Sequence, residues 1–260
     1  MGRSALGVVA FAILAVVALP SIGNAQMLHW GLKGGLGTSS VGGVPDYYDF
    51  VLCCHPLYPD ARVGSTPKRG FTFGGFADFP IVDRFAIQAE LLVTQRRHAV
   101  DLQPYQPIQI EFTRDSVEAA GLAKLEFAAG RVNSFYVAGG PVLGFLGSQS
   151  AFSGDPELRR GDSETNIYVV QALPYASPEL LRTSQFSLAL QGGWVYRAVV
   201  LEVRFVQGLQ SIFKNRDQIL QAFVDLGGHE PTLQRLVPMF APSLEAAKSR
   251  DLTVLVGVRF

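Results

Sequence analysis

Charge is scarce in this 260-residue chain: Asp, Glu, Lys and Arg make up 17% of it, against about 25% in ordinary soluble domains. What charge there is cancels, 22 basic against 22 acidic side chains, so no net field draws the protein to nucleic acid or to an acidic substrate. Cysteine is limited to the adjacent pair Cys53 and Cys54, and His29, His55, His98 and His229 are scattered, which gives no recognisable metal-ligand spacing. The glycine pairs at 34–35 and 139–140 are not followed by a helix or by Lys-Ser/Thr, so a phosphate loop is excluded and no cofactor is implied. Long apolar runs are missing too, once the amino terminus is passed. Stretches such as 50–54 and 198–201 fall far short of the roughly 20 residues a spanning helix needs. A helical membrane protein is thereby ruled out.

The chain opens as a secretory signal. Arg3 is the positive n-region, residues 6–19 form the apolar stretch, Pro20 breaks it, and Gly23 and Ala25 are the small residues before a cleavage site. A signal over 1–25 and a single mature domain over 26–260 are expected.

What the sequence has in quantity is alternation. At the carboxy terminus Leu252, Val254, Val256, Val258 and Phe260 share one face, opposite Asp251, Thr253, Gly257 and Arg259, with Leu255 the exception. An outward apolar face ending on an aromatic residue is how outer-membrane barrels finish. Val256, Val258 and Phe260 are the expected insertion signal for the barrel-assembly machinery. Period-2 segments also cover 28–38, 70–79, 85–95, 117–127, 135–146, 186–196 and 199–209, making eight, the smallest even number that closes a membrane barrel. The fifth is the least regular, because Tyr136, Val142 and Leu146 bring little polarity to its second face and Pro141 sits in its middle. Short connections at 80–84, 128–134 and 197–198 alternate with long ones at 39–69, 96–116, 147–185 and 210–250. The fold class is therefore all-β: an eight-stranded antiparallel up-and-down transmembrane β-barrel with short periplasmic turns and four longer extracellular loops.

The charges settle which face is which. Lys33, Glu90, Glu118, Lys124, Glu126, Glu202, Arg204 and Arg259 lie opposite the aromatic face and should point into the lumen, whereas a water-soluble barrel would reverse the polarity. An eight-stranded interior is just wide enough for side chains to fill it, and four acids and four bases confined there can neutralise one another. Trp30, Phe79, Phe85, Phe127, Phe135, Tyr196 and Phe260 are placed for a periplasmic aromatic girdle, with Arg84, Arg131 and Arg197 beside the turns at headgroup level.

The opening Gly31-Leu32-Lys33-Gly34-Gly35-Leu36-Gly37, the 85–95 strand with inward Gln88 and Glu90, and Tyr136-Val137-Ala138-Gly139-Gly140-Pro141-Val142-Leu143-Gly144 resemble the porin-like outer-membrane β-barrel family, which includes PorT-like proteins. The resemblance covers the strands of the mature chain and not its loops. It implies residence in the outer membrane of a Gram-negative bacterium and no single function.

Three features stand outside this pattern. Cys53 and Cys54 are a candidate loop-stiffening disulfide in an exported protein; a metal site with His55 lacks a fourth ligand. His98 falls just past the third strand and reads as a solvated loop histidine; no Ser and acid at matching spacing make it a lipid-hydrolysing centre. Residues 217–226 predict a short amphipathic helix in the last long loop, to pack on the barrel mouth or to dock a protein partner. The functional expectation is a non-enzymatic, monomeric protein in outer-membrane lipid, acting through envelope structure or surface interaction. A narrow channel for ions or very small solutes is the alternative, and a lipid-modifying hydrolase the second alternative.

Overall fold

The computed structural model describes residues 28–42, 62–103, 108–130, 132–153, 181–225, 242 and 245–260. Eight strands follow one another: β1 (His29–Val41), β2 (Arg62–Val82), β3 (Phe85–Gln103), β4 (Ile108–Ala128), β5 (Asn133–Ser153), β6 (Ser184–Tyr196), β7 (Val199–Gly208) and β8 (Ser249–Arg259). Each is antiparallel to the next, and β1 pairs with β8 to close the barrel. Closure matters because a sheet edge left in hydrocarbon would expose unpaired backbone groups, each costing several kcal/mol by the order-of-magnitude transfer cost. The terminal residue takes part. The Phe260 N–H donates to the Trp30 carbonyl at 2.7 Å, the Trp30 N–H returns a bond at 3.2 Å, and the two rings meet at 4.8 Å.

Side-chain polarity is inverted relative to a soluble protein. Leu36 is 65% and Leu190 63% exposed on the outside, while Lys33 and Arg204 are each 2% exposed on the inside. Water would penalise that outer wall, and hydrocarbon favours it. No described helix is long and apolar enough to cross a membrane; the crossing is made by strands.

The strands run further than their apolar alternation. A loop was expected over 96–116, yet β3 continues to Gln103 and β4 begins at Ile108, so only 104–107 separates them. The outward alternation of β3 ends with exposed Val93, and the next exposed outward residue is Arg97. Hydrophobic periodicity therefore marks the membrane-crossing piece, 85–95, while the hydrogen-bonded ladder continues above it through a sequence of mixed polarity. The expected loops at 39–69, 147–185 and 210–250 lose their ends to strands for the same reason. The signal (1–25), Cys53, Cys54, His55, Arg131 and His229 lie outside the described residues.

Pro141 is accommodated locally. It faces outward, opposite Leu188 of β6, while the β4–β5 ladder passes from Ala120↔Val142 to Ala123↔Gly139 without pairing at Gly140 and Pro141. The missing N–H thus falls where the ladder is already open. The inward apolar residues of β5 also have a reason. Tyr136, Ala138 and Val142 join Phe76, Leu122, Ala189, Val195, Val200 and Val206 in an apolar cluster inside the barrel. Gly193 makes room for it, since a Cβ there would lie 2.3 Å from the Tyr136 ring.

The described ends of the last long connection, 209–225 and 245–248, are tied to each other and to residues 181–182. Its helix, α1 (Arg216–Asp225), starts with a reciprocal cap: Asn215 Oδ1 accepts the Gln218 N–H at 3.0 Å, and Gln218 Oε1 accepts the Asn215 N–H at 3.4 Å. Ile219 is fully buried, as is Ala247, with Leu181, Ile212 and Phe213 also buried in this part of the chain. The Ile212 N–H donates to the Ala247 carbonyl at 2.9 Å and the Arg182 N–H to the Ile212 carbonyl at 3.0 Å.

Candidate functional site

Because successive side chains on a strand alternate faces, each strand can deliver a charge to the lumen every second residue, and the layers come from different strands. All eight charged residues expected inside point there. The lowest layer, near the short turns, joins Lys124 Nζ to Asp78 Oδ2 at 2.7 Å and Arg259 to Glu126 at 3.1 Å, with Ser134 donating to Glu126 at 2.6 Å. In the middle layer Lys33 Nζ donates to Glu90 Oε1 at 2.6 Å and to Glu202 Oε1 at 2.8 Å. Glu90 is further held by Arg204, by Gln88 at 2.6 Å and by Gln191 at 3.1 Å, and Glu202 by the Tyr136 hydroxyl. The upper layer centres on Arg96, which binds Asp251 at 2.6 Å, Ser116 at 3.0 Å and Glu118.

The layers connect. Lys124 Nζ stands 4.3 Å over the Tyr136 ring, and Arg204 reaches Glu118 at 3.8 Å. One ionic column therefore runs from Arg259 at the periplasmic end to Asp251 near the outer end. Beside it, a cavity of about 10 Å³ lies among Thr72, Thr94, Arg96, Asp251 and Thr253, about the least volume that admits one water. The column and the apolar cluster both lie inside the barrel.

Three column members, Asp78, Arg96 and Asp251, and the buried Arg114 beside them were not among the charges expected in the lumen. Arg96 and Arg114 fell within a stretch read as loop, and their alternation with Thr94, Ser116 and Glu118 was the usable signal. Arg114 is odd: it sits directly across the ladder from Arg96, is buried, and finds no hydrogen bond or ion pair among the described residues, its Nε included.

His98, expected to be solvated in a loop, is instead in β3. Its ring stacks on Phe112 at 4.9 Å and 11°; the cross-strand register His98↔Phe112 puts the rings side by side. It stands above the membrane-crossing piece. Burial, and secondarily Arg114, pushes its pKa down to about 4. Among the described residues no group of His, Cys, Asp and Glu is arranged to hold a metal ion.

Comparison with known proteins follows the same line. The outer membrane protein beta-barrel domain family matches residues 24–214. No curated protein matches the chain. Among solved structures, OprG from Pseudomonas aeruginosa shares 9% identity over 89% of this chain and 95% of its own, with a TM-score of 0.41. Neisserial surface protein A shares 12% over 90% and 97%, TM-score 0.37. Ail, the attachment invasion locus protein of Yersinia pestis, shares 14% over 90% and 100%, TM-score 0.34. With the family match spanning most of the strands, the chain belongs to the outer membrane protein β-barrel domain family of Gram-negative bacteria.

Proposed function

We propose that this protein is a non-enzymatic, sealed barrel that anchors an extracellular β-sheet wall for surface interaction. The ionic column carries the reading. A lumen occupied along its length by paired charges and packed apolar side chains offers no continuous aqueous path, and separating a buried pair is strongly unfavourable. The second half of the reading comes from β2 to β5, which extend past the apolar band. On β3 the extension is 96–103, about 26 Å of strand at 3.3 Å per residue. Loops and strand extensions on a rigid scaffold are where recognition is usually placed.

Planar-bilayer recording of the purified protein tests the seal. The expected result is a silent membrane at neutral pH. Discrete single-channel steps from the unmodified protein would instead establish the narrow-channel alternative.

A further inference from the structure

Just above the apolar wall, one flank of the barrel carries arginines on its outside. Arg250 of β8, Arg69 of β2 and Arg97 of β3 are all exposed and share strand parity with the outward apolar residues Leu252, Phe71 and Val93. The order around the barrel is β8-β1-β2-β3. Register sets them close to one level: Ser40 pairs with Arg250 and Thr38 with Arg69, while the β2–β3 ladder shifts register between Pro67 and Phe71, opposite His98 and Gln95. That irregularity brings Arg69 beside the 96–97 segment. Strands lie about 4.8 Å apart, so the row from Arg250 to Arg97 spans about 14 Å. Thr38 and Ser40 supply hydroxyls between the arginines.

None of the three arginines has an ion pair or hydrogen-bonded partner for its side chain among the described residues. The patch is confined. On β4 the outward positions are Glu111, Thr113 and Asp115, with Asp115 accepting a bond from Gln95 at 2.9 Å; on β6 and β7 they are Ser184, Gln207 and Leu209. None of these described positions on β4, β6 and β7 is basic.

We propose that the β8–β1–β2–β3 flank is a seat for a glycolipid of the outer leaflet that carries clustered phosphates, of the lipid A type. Position selects the occupant. Arg250 and Arg69 lie two residues, about 7 Å of strand, beyond the last outward apolar side chains, so their stems can lie against acyl chains while the guanidinium groups reach headgroup level. Guanidinium binds phosphate bidentately, and a row about 14 Å long suits more than one phosphate on one molecule. A lipid with a single phosphodiester would engage only one arginine at a time. The assignment rests on the orientation adopted above, with the long hairpins outside, but not on the sealed lumen.

The test is native mass spectrometry of the full barrel in detergent, titrated with diphosphoryl lipid A, monophosphoryl lipid A or phosphatidylglycerol. The proteins compared are the unmodified chain, R69Q/R97Q/R250Q, and R84Q/R197Q at the opposite rim; heat-modifiable gel mobility confirms that each is folded. At about fivefold per arginine near a phosphate layer, the triple variant should lose on the order of a hundredfold in diphosphoryl lipid A affinity. The opposite-rim variant should keep it, and the unmodified protein should prefer diphosphoryl over monophosphoryl lipid A, with phosphatidylglycerol weakest. Equal binding of all three lipids, or an unchanged triple variant, overturns the proposal. A loss confined to R84Q/R197Q overturns the orientation, while conductance measured separately bears only on the seal.

Discussion

Lys33 is the keystone of the middle layer, and replacing it should expose how the column is held. Lys33 is 2% exposed and neutralises two acids at once, Glu90 at 2.6 Å and Glu202 at 2.8 Å. The two acids are not equally dependent on it. Glu90 retains Arg204, Gln88 and Gln191 when Lys33 is removed, whereas Glu202 retains only the Tyr136 hydroxyl. Lys33→Met should therefore strand chiefly Glu202. Breaking a buried ion pair from one side costs about 3–5 kcal/mol, while replacing both partners with neutral groups is often close to neutral. The expected outcome is a loss of about 3–5 kcal/mol for Lys33→Met, and recovery of more than half of it in Lys33→Met/Glu202→Gln.

The measurement is reversible urea unfolding in lipid vesicles. Trp30 and Trp194 lie on the outer wall, so their fluorescence reports removal from lipid. The same double substitution built on Glu90 supplies the contrast: Lys33→Met/Glu90→Gln should recover little, since it leaves Glu202 stranded and removes the nearer counter-charge of Arg204. If the Lys33 and Glu202 effects simply add, with a coupling near zero, the two residues do not act as a pair and the column is not the organising feature of the lumen.

The upper layer gives an unequal pair of arginines. Arg96→Met should cost about 3–5 kcal/mol because it abandons Glu118 and Asp251, while Arg114→Met should stay within about 1 kcal/mol, since Arg114 has no direct partner and faces a like charge across the ladder; equal losses in the vesicle assay would contradict this. Gly193→Ala, whose Cβ would press into the Tyr136 ring at 2.3 Å, should destabilise by about 1–3 kcal/mol, against little change for Gly192→Ala, whose nearest neighbour is 3.8 Å away. His98 has a folded pKa of about 4, below the ordinary 6.5, so the unfolded chain takes up the proton first as pH falls. Its contribution to stability is present above pH 6.5 and is lost between 6.5 and about 4; His98→Leu should flatten that part of the unfolding-versus-pH curve, and an unchanged slope would remove His98 from the account.

The eight strands were readable because one wall of each faces hydrocarbon, a medium that enforces strict alternation. Leu252, Val254, Val256 and Val258 had no freedom to be anything but apolar. Nothing enforces a pattern once β3 leaves the membrane at Gln95, so the ladder through His98 and Phe112 looked like loop although its backbone pairs residue by residue. Arg96 was missed as a column member, and Arg114 as an inward charge, for that reason alone. Asp78 was visible as inward, but its partner Lys124 is 46 residues away, and spacing along a chain cannot reveal which inward charge meets which. The irregular face of the fifth segment was equally real. Val142 packs in the apolar cluster, and Tyr136 joins that cluster to the column, its ring under Lys124 and its hydroxyl on Glu202.

The distribution of column charges among strands has a consequence for assembly. Lys33 on β1 bonds to β3 and β7, Arg96 on β3 to β8, and Arg259 on β8 to β4; none of these strand pairs is adjacent in the sheet. Those that reach across the β1–β8 seam, Lys33 to Glu202 and Arg96 to Asp251, form only when the barrel has closed, so they act on the finished cylinder rather than on the pairing of neighbouring hairpins. They also discriminate among registers. A slip of one residue exchanges the lumen and lipid faces and is already forbidden by the apolar wall. A slip of two keeps every face correct and would pass unnoticed by hydrophobicity, yet it moves a charge about 7 Å along its strand, out of reach of the partner it meets in the native layer. The lipid-facing wall thus fixes the parity of each strand, and the buried charges select one register among those that parity allows, which is the selectivity a chain with so few charges would need to place them inside.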